Sequence, residues 1–507
     1  MRFLRRNTIG VYAVYAAAIV SGLLVTPIVI HSIGKSAFGV WSFIGSVTIY
    51  LSILDFGVGP SIVRFAAEAR GRGADRDLNE VASTGLVMYA LIGAVTLPVG
   101  VALAFVIPAA VGAPHNLVWD ARITTLLVVV ALATRFPLGL FNNLLVAQQR
   151  WDLQNLANFV STAFYAALVA ILMPRYGGLV LLGLLTLGTT LLRLVLPLFW
   201  LRRELPALRI ARSLVTRRRL RELAAFSSSN FLVHVAQKIV FSTDVVVVGI
   251  VLGSAASGVY SVPAKLFALV FGIGTAVTSL MFPAFAELEG AGASERQRRL
   301  LLVGLRVGTA LMLLLALPLL LIPDLLIRAW IGGGFHGSYS VMAILAAVLL
   351  VHQPIYVLTQ FLIARARQRQ VAVVSIVVTL ANLALSFVLA WAWGLPGVAV
   401  STLVTDAAML AWLVPRIAAP AATTSSAVLL RALWRPVLPA AVAALAVLVL
   451  LARAWRPQTL LAFVPFGAVW TLVAVALIWR FGLAATEREL FRRELWRGRV
   501  DASPVEL

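Results

Sequence analysis

The sequence predicts an all-α polytopic membrane protein of about fourteen transmembrane helices: two six-helix lobes in parallel repeat, followed by a C-terminal helical hairpin. Three observations carry this. The 507 residues are 61% hydrophobic and 12% charged, with a mean hydropathy of +0.97, whereas soluble domains carry about 25% charged residues. Apolar runs of about 20 residues, enough to cross a ~30 Å hydrocarbon core, recur along the whole chain. Basic residues fall in every second gap between them.

The runs lie at 8–30, 38–60, 83–108, 123–147, 155–173, 178–200, 224–252, 257–286, 301–322, 340–363, 371–393, 396–415, 428–451 and 459–479. The first follows a basic start, Met1-Arg-Phe-Leu-Arg-Arg6, but its apolar stretch exceeds the roughly 7–15 residues of a signal peptide, so it reads as a retained helix. Placing the N-terminus inside puts 32 of the 42 basic residues on the inner side and 6 outside, with 4 within spans. A multi-pass protein of the bacterial cytoplasmic membrane with both termini cytoplasmic is the expectation. It also explains the net charge of +22, which in a soluble chain would suggest nucleic acid. Read as an orientation signal, the excess predicts no nucleic-acid partner. The absence of cysteine excludes disulfides and thiolate chemistry.

A repeat at long period divides the chain. Gly34-Lys-Ser-Ala37-Phe-Gly39-Val40-Trp41-Ser42 matches Gly253-Ser-Ala-Ala256-Ser-Gly258-Val259-Tyr260-Ser261 at an offset of 219. At an offset of 217, Pro137 meets Pro354, Arg150 meets Arg367, and Tyr176-Gly177 meets Trp393-Gly394. Spans 1–6 therefore repeat as spans 7–12. Because each half has an even number of spans, the halves share one orientation, as in parallel-repeat transporters. The expected organisation is a lobe at 1–201, a basic linker helix at 202–223, a lobe at 224–418, appended helices at 419–480 and a tail at 481–507. The linker carries eight arginines interspersed with leucines and reads as an interfacial helix against anionic headgroups. A capping-box pattern at Thr486-Glu-Arg-Glu489 opens a second surface helix in the tail.

Several stretches together resemble a known family: Leu54-Asp55-Phe56-Gly57-Val58-Gly59-Pro60 followed by Arg64-Phe65 and Glu68, the Gly253 to Tyr260 hairpin, Phe282-Pro283, and Trp393-Gly394-Leu395-Pro396-Gly397. They are similar to the polysaccharide-transporter branch of the multidrug/oligosaccharidyl-lipid/polysaccharide exporter superfamily, the O-antigen-type flippases of bacteria. The resemblance implies translocation of an undecaprenyl-pyrophosphate-linked oligosaccharide from the inner to the outer leaflet by alternating access. It also implies membrane lipids and other polysaccharide-assembly membrane proteins as neighbours.

Ionisable residues inside spans are costly and therefore mark candidate sites, whatever the family. Arg135 lies far from both ends of its span and cannot easily reach water; its repeat counterpart is His352, and each stands two residues before a proline. Arg135, Lys238, Arg193, Lys265 and His352 are the candidate substrate-binding residues, since guanidinium and ammonium groups suit a pyrophosphate. The alternatives stay open: a structural ion pair for Arg135, snorkelling for Arg193, and mutual neutralisation of Lys265 and Asp244. Asp244, Asp406 and Asp55 are candidates for coupling to a proton or sodium ion, with Asp55 also readable as a cap for the glycines that follow; Asp406 has no local partner in the sequence.

No cofactor is expected. Asp75-Arg-Asp77 has the form of a glycosyltransferase metal motif, but its loop is too short to hold a nucleotide-sugar domain. The histidines lack metal-ligand spacing, and no phosphate-cradling Gly-Lys-Ser/Thr loop occurs. The chain is thus expected not to be an enzyme. A drug/cation antiporter would favour an acidic cavity, against four intramembrane basic residues and three acidic ones here; a lipid II flippase is the nearer alternative.

Overall fold

The computed structural model describes residues 2–227, 243–279, 281–434, 437–455, 457, 459–477 and 479–480. Among them there is no strand. The helices are α1 (Arg2–Leu51), α2 (Val58–Gly71), α3 (Asp75–Ala110), α4 (Val118–Ala147), α5 (Trp151–Tyr176), α6 (Leu179–Glu204), α7 (217–227), α8 (Thr243–Leu252), α9 (Ser254–Ser279) and α10 (Met281–Gly290). They continue as α11 (Ser294–Leu321), α12 (Pro323–Ile331), α13 (Gly337–Ala364), α14 (Gln368–Trp393), α15 (Leu395–Leu413), α16 (Ala419–Ala421), α17 (Ser426–Trp434), α18 (Val437–Ala454) and α19 (Leu460–Leu477).

Ten helical stretches are long and apolar enough to cross a membrane, and three shorter apolar helices accompany them. The first stretch, Ala16–Asp55, is 40 residues long, about 60 Å of helix, and therefore makes two passes. The turn between them is Gly34, whose φ of +77° a side chain would resist. With this division the long stretches supply eleven passes among the described residues, beside the shorter apolar helices Thr243–Leu252, Ala441–Ala454 and Leu461–Leu477. Helix faces bearing exposed apolar residues, such as Trp391, Leu461 and Leu472, are what lipid requires and what water would penalise.

The second pass departs from the expected continuous span at 38–60. A 3₁₀ turn, Ser52–Asp55, ends it, and Phe56 and Gly57 both adopt positive φ before α2 resumes. The interfacial helix expected across the basic linker is not a single helix either. Beyond Glu204 the chain is irregular, with one 3₁₀ turn at Arg212–Leu214, until α7 begins. The reason is competition for backbone partners. Asn79 on α3 donates to the Ala207 carbonyl at 3.2 Å and accepts from the Arg209 N–H at 2.9 Å, while the Ser83 hydroxyl accepts from the Ala211 N–H at 3.2 Å. These bonds hold the linker against α3 in place of a helical ladder. Arg219, buried at the start of α7, is gripped by Asp77 at 2.8 Å, Glu222 at 2.9 Å and Glu80 at 3.3 Å. Burial works against its charge, and the bonds to Asp77 and Glu222 outweigh that, so its pKa stands above the ordinary value. The tail helix read at Thr486 lies outside the described residues.

The chain divides into two compact units, Met1–Ser261 and Val262–Leu507. The first has its core where α2, α3 and α4 meet, around Ile62, Val81, Leu140 and Leu144. The second has its core around Phe285, Leu305, Leu358, Phe361 and Leu413. Helix boundaries keep the repeat register. Asp75 and Ser294 open α3 and α11 at the 219 offset; Trp151 and Gln368 open α5 and α14 at 217, and Tyr176 and Trp393 close them at 217.

Within the first unit the two copies of the Gly-x-x-Ala-x-Gly motif pack against each other. A Cβ on Gly39 would lie 1.8 Å from the Ser254 carbonyl oxygen, and one on Gly258 would lie 2.3 Å from that of Lys35. The contact is backbone on backbone, possible only for glycine at both positions. In the second unit the C-terminal helices are pinned by a different device. Pro318 has no N–H to offer the Leu314 carbonyl one turn earlier in α11, and the Trp470 indole N–H donates to that oxygen at 3.0 Å. Around this bond Leu313, Leu317, Leu448 and Phe466 form a separate apolar cluster.

Two measurements check these contacts. Gly39→Ala is expected to lower the melting temperature of the purified chain by several degrees, as an overpacking cost of about 1–3 kcal/mol would. Gly45→Ala, whose Cβ meets nothing within 4 Å, should not. Trp470→Phe leaves a buried carbonyl unpaired and should cost about 1–3 kcal/mol; adding Pro318→Ala restores the helical donor and should recover most of it in thermal denaturation.

Candidate functional site

The first unit contains a cavity of about 810 Å³. It is lined by Val14 of α1, Ser52 and Asp55 of the turn that follows α1, residues of α2, Tyr89 of α3, and residues of α4, α5 and α6. Arg135 projects from the middle of α4, and Arg193 comes from α6. Arg64 on α2 completes a set of three cations, its guanidinium lying 4.4 Å from the Phe226 ring centroid and 5.3 Å from that of Phe65. Arg135 and Arg193 are close enough to feel each other's charge. Among the described lining residues Asp55 is the only carboxylate. The break after α1 places it there, because the 3₁₀ turn ends on Asp55 and the positive φ values of Phe56 and Gly57 redirect the chain. Its Oδ1 is buried with no hydrogen-bond partner among the described residues, and the Tyr89 hydroxyl lies beside the carboxylate.

The remaining lining is polar but neutral. Asn143 donates to the Tyr89 hydroxyl at 3.0 Å, and Gly59 sits under this pair, so that a Cβ there would lie 3.0 Å from the hydroxyl and 3.3 Å from the amide nitrogen. Trp151, Gln154, Asn158 and Thr162 form a stripe along α5, and Asn142 adds a second amide from α4. Thr162 and Arg193 also open a side recess of about 220 Å³, lined by Ser161, Tyr165, Thr186, Thr189 and Thr190. The arrangement can bind an anion with guanidinium groups and present amides, hydroxyls and an aromatic ring to a polar, hydroxyl-rich group beside it. Among the described residues no group of three His, Asp or Glu side chains is placed to hold a metal ion.

The residues singled out from sequence thus separate. Arg135, Arg193 and Asp55 come together in this cavity. Asp244 is buried in the same unit but away from the lining, accepting a hydrogen bond from the Tyr260 hydroxyl at 2.8 Å. Lys265, His352 and Asp406 belong to the second unit. There the partner that sequence did not supply for Asp406 is His352, whose Nδ1 lies 2.7 Å from the Asp406 carboxylate. Lys238 lies outside the described residues. Sequence reasoning missed Arg64 and the amides, since it weighed only ionisable groups within spans. A usable signal existed: Gln154, Asn158 and Thr162 recur every four residues on α5, and Thr186, Thr189, Thr190 and Arg193 follow helical spacing on α6, two polar stripes inside apolar helices.

Comparison with known proteins follows the same line. Residues 4–289 match the family model described as "Polysaccharide biosynthesis protein", a stretch that contains the entire cavity. The chain belongs to that family. That membership agrees with the resemblance of the sequence to the polysaccharide-transporter branch of the exporter superfamily. A curated relative, the uncharacterized membrane protein EpsK of Bacillus subtilis (strain 168), is 24% identical over 377 residues, 72% of each chain. Among solved structures, the lipid II flippase MurJ in an inward closed conformation superposes with a TM-score of 0.72 at 14% identity, covering 96% of this chain and 99% of that one. An inward-facing multidrug resistance MATE family transporter of the MOP superfamily gives 0.62 at 14% identity, over 79% of this chain and 93% of its own. At such identities the likeness is one of fold. Family and fold together make this a multi-pass membrane protein with the fold of known transporters.

The cavity's charge can be tested without any lipid. Inorganic pyrophosphate at low salt is expected to raise the melting temperature of the detergent-purified chain more than sodium chloride of equal ionic strength does. The double variant Arg135→Gln, Arg193→Gln should lose that increment.

Proposed function

We propose that the protein is a flippase that carries an undecaprenyl-pyrophosphate-linked oligosaccharide, a polysaccharide repeat unit, from the inner to the outer leaflet of the bacterial cytoplasmic membrane by alternating access. The observation that carries this reading is the pairing of Arg135, Arg193 and Arg64 with a wall of amides and hydroxyls in one cavity. A diphosphate is a fixed anion that hydrocarbon rejects at a cost of many kcal/mol. Three guanidinium groups facing one carboxylate leave the cavity net positive and ready to replace the water such a headgroup loses. Amides and hydroxyls replace the hydration of sugar hydroxyls, and Trp151 offers a face on which a pyranose ring can stack.

The hydrocarbon part of the substrate has a separate surface. Phe56 and Val58, adjacent in sequence to cavity residues Asp55 and Gly59, join Met88 and Leu91 around an apolar pocket of about 360 Å³. Asp55 fits a counter-charge that offsets the mutual repulsion of the arginines when no anion is bound. Both termini are proposed to be cytoplasmic, from the distribution of basic residues among the loops. Coupling to a proton or sodium gradient drives the cycle in one direction, with no chemical step and no cofactor. Other membrane proteins of polysaccharide assembly supply the substrate and consume the product.

The test is deletion of the gene followed by lipid extraction, with accumulation of an undecaprenyl-linked glycan on the inner leaflet expected. Complementation with Arg135→Ala at wild-type abundance should lower surface glycan more than about tenfold, as loss of a buried charge-assisted contact predicts, and Arg135→Lys should recover part of it. Normal surface glycan in the Ala variant would overturn the assignment.

A further inference from the structure

We propose that the side recess between α5 and α6 is a sugar subsite, which takes the one sugar ring esterified to the diphosphate while Arg193 holds the phosphate next to it. The inference deepens the transport reading above and rests on it for the presence of a diphosphate-linked glycan. The recess is lined by Ser161, Thr162 and Tyr165 of α5 and by Thr186, Thr189, Thr190 and Arg193 of α6. Thr162 and Arg193 line the main cavity as well. The two spaces therefore adjoin at a guanidinium group, and a sugar bonded to a phosphate held there has the recess within reach.

Both helices turn these groups away from lipid. At 3.6 residues per turn, Gln154, Asn158, Ser161, Thr162 and Tyr165 fall within about 100° of the circumference of α5. The exposed apolar residues Leu156, Phe159, Val160, Phe164 and Ile171 lie on the opposite side. On α6, Thr186, Thr189, Thr190 and Arg193 share an arc of about the same width, opposite the exposed Leu184, Val195 and Phe199. Hydroxyl groups gain nothing from hydrocarbon. Two stripes of them, each on the inner face of its helix and lining one space, suit a polar occupant.

Size and chemistry name that occupant. The recess has a volume of about 220 Å³, the share of about seven liquid waters, which suits one sugar ring rather than two. From Arg193 to Thr186 is seven residues of α6, about 10 Å, the span of a phosphate and one ring. Six of the seven lining side chains carry a hydroxyl, and Arg193 is the only charged one. A hydroxyl donates and accepts, as the hydroxyls of a sugar do, whereas a second anion would call for donors alone. Thr189 gives its proton to the Leu185 carbonyl at 2.7 Å and keeps its lone pairs to accept. The Tyr165 hydroxyl lies beside Thr186 at the end away from Arg193, and its ring adds an apolar face. Ser161 stands apart from the other hydroxyls of the chain. It is 5% exposed, and its Oγ is buried with no hydrogen-bond partner among the described residues. Thr48, Thr96, Thr125 and Thr278 instead each donate to the carbonyl four residues back. A buried hydroxyl left unbonded is destabilising, and a sugar in the recess brings the missing partner to its wall.

The test titrates the full chain in detergent with inorganic phosphate and with glucose 1-phosphate, galactose 1-phosphate and N-acetylglucosamine 1-phosphate, read by calorimetry. At least one sugar phosphate is expected to bind about tenfold more tightly than phosphate, the yield of one or two hydrogen bonds. Thr186→Val with Thr190→Val replaces two hydroxyls by methyl groups of similar size; it should remove that advantage and leave phosphate binding in place, and serine at both positions should keep the advantage. Ser161→Ala should reduce the advantage with no fall in melting temperature, which separates a ligand contact from a structural bond. Where the valine pair fails to accumulate, Ser161→Ala decides alone. Sugar phosphates that bind no better than phosphate, or an advantage that survives in these variants, overturn the proposal. Phosphate binding without a sugar advantage sinks the recess and spares the flippase reading. A sugar advantage in a protein whose deletion leaves lipid-linked glycans undisturbed sinks the flippase reading alone, and binding of neither probe overturns both the recess and the cavity's anion role.

Discussion

Hydrocarbon offers a backbone N–H or carbonyl no water to fall back on, and that constraint governs everything else in this molecule. Each crossing segment has to satisfy its own peptide groups as a helix, and at two interruptions of the helical ladder specific side chains supply the replacement. Pro318 interrupts α11, and the Trp470 indole supplies the missing donor to Leu314. The basic linker is not helical, and Asn79 and Ser83 take over its backbone bonds. Helices that must touch without polar help do so through glycine, as at Gly39 and Gly258, where the two copies of one motif bring their backbones into direct contact.

The same constraint makes polar groups within the membrane rare, and therefore informative. They are not spread along the helices but gathered. The first unit concentrates cations, with Arg64, Arg135 and Arg193 facing one aspartate across a cavity of about 810 Å³. The second unit concentrates a single hydrogen-bonded acid–base pair, His352 with Asp406. Position 217 residues apart in the repeat carries arginine in one copy and histidine in the other, each followed by a proline two residues on. The repeat keeps the proline and differs in the charged residue before it.

What was legible in the sequence was whatever depends on local composition: helix class, the polytopic membrane character, the Gly34 and Gly253 turns, the repeat offsets and the list of costly ionisable residues. Hydropathy and glycine geometry act over a few residues, so a linear reading captures them. The cavity was legible in part. Arg135, Arg193 and Asp55 declared themselves by charge, whereas Asn142, Asn143, Gln154 and Asn158 did not, because an amide within a span is tolerated at low cost and its spacing speaks only when neighbouring helices are known to face it. The linker misled because its alternation of arginine and leucine suits an interfacial helix, and nothing local reveals that Asn79, more than a hundred residues earlier, competes for its backbone.

By itself the sequence determined that this chain lives in a membrane, that it is built twice from one pattern, and which residues carry intramembrane charge; each of these follows from transfer energies that belong to a segment alone. Only the tertiary structure decided the pairings. It separated Asp244 from the cavity by giving it to Tyr260, gave Asp406 a partner in His352, and brought Arg64, packed on Phe226, to a cavity for which sequence had singled out only Arg135 and Arg193 as cations. Pairing energies depend on distances of a few ångström between groups far apart in the chain, and packing alone sets those distances.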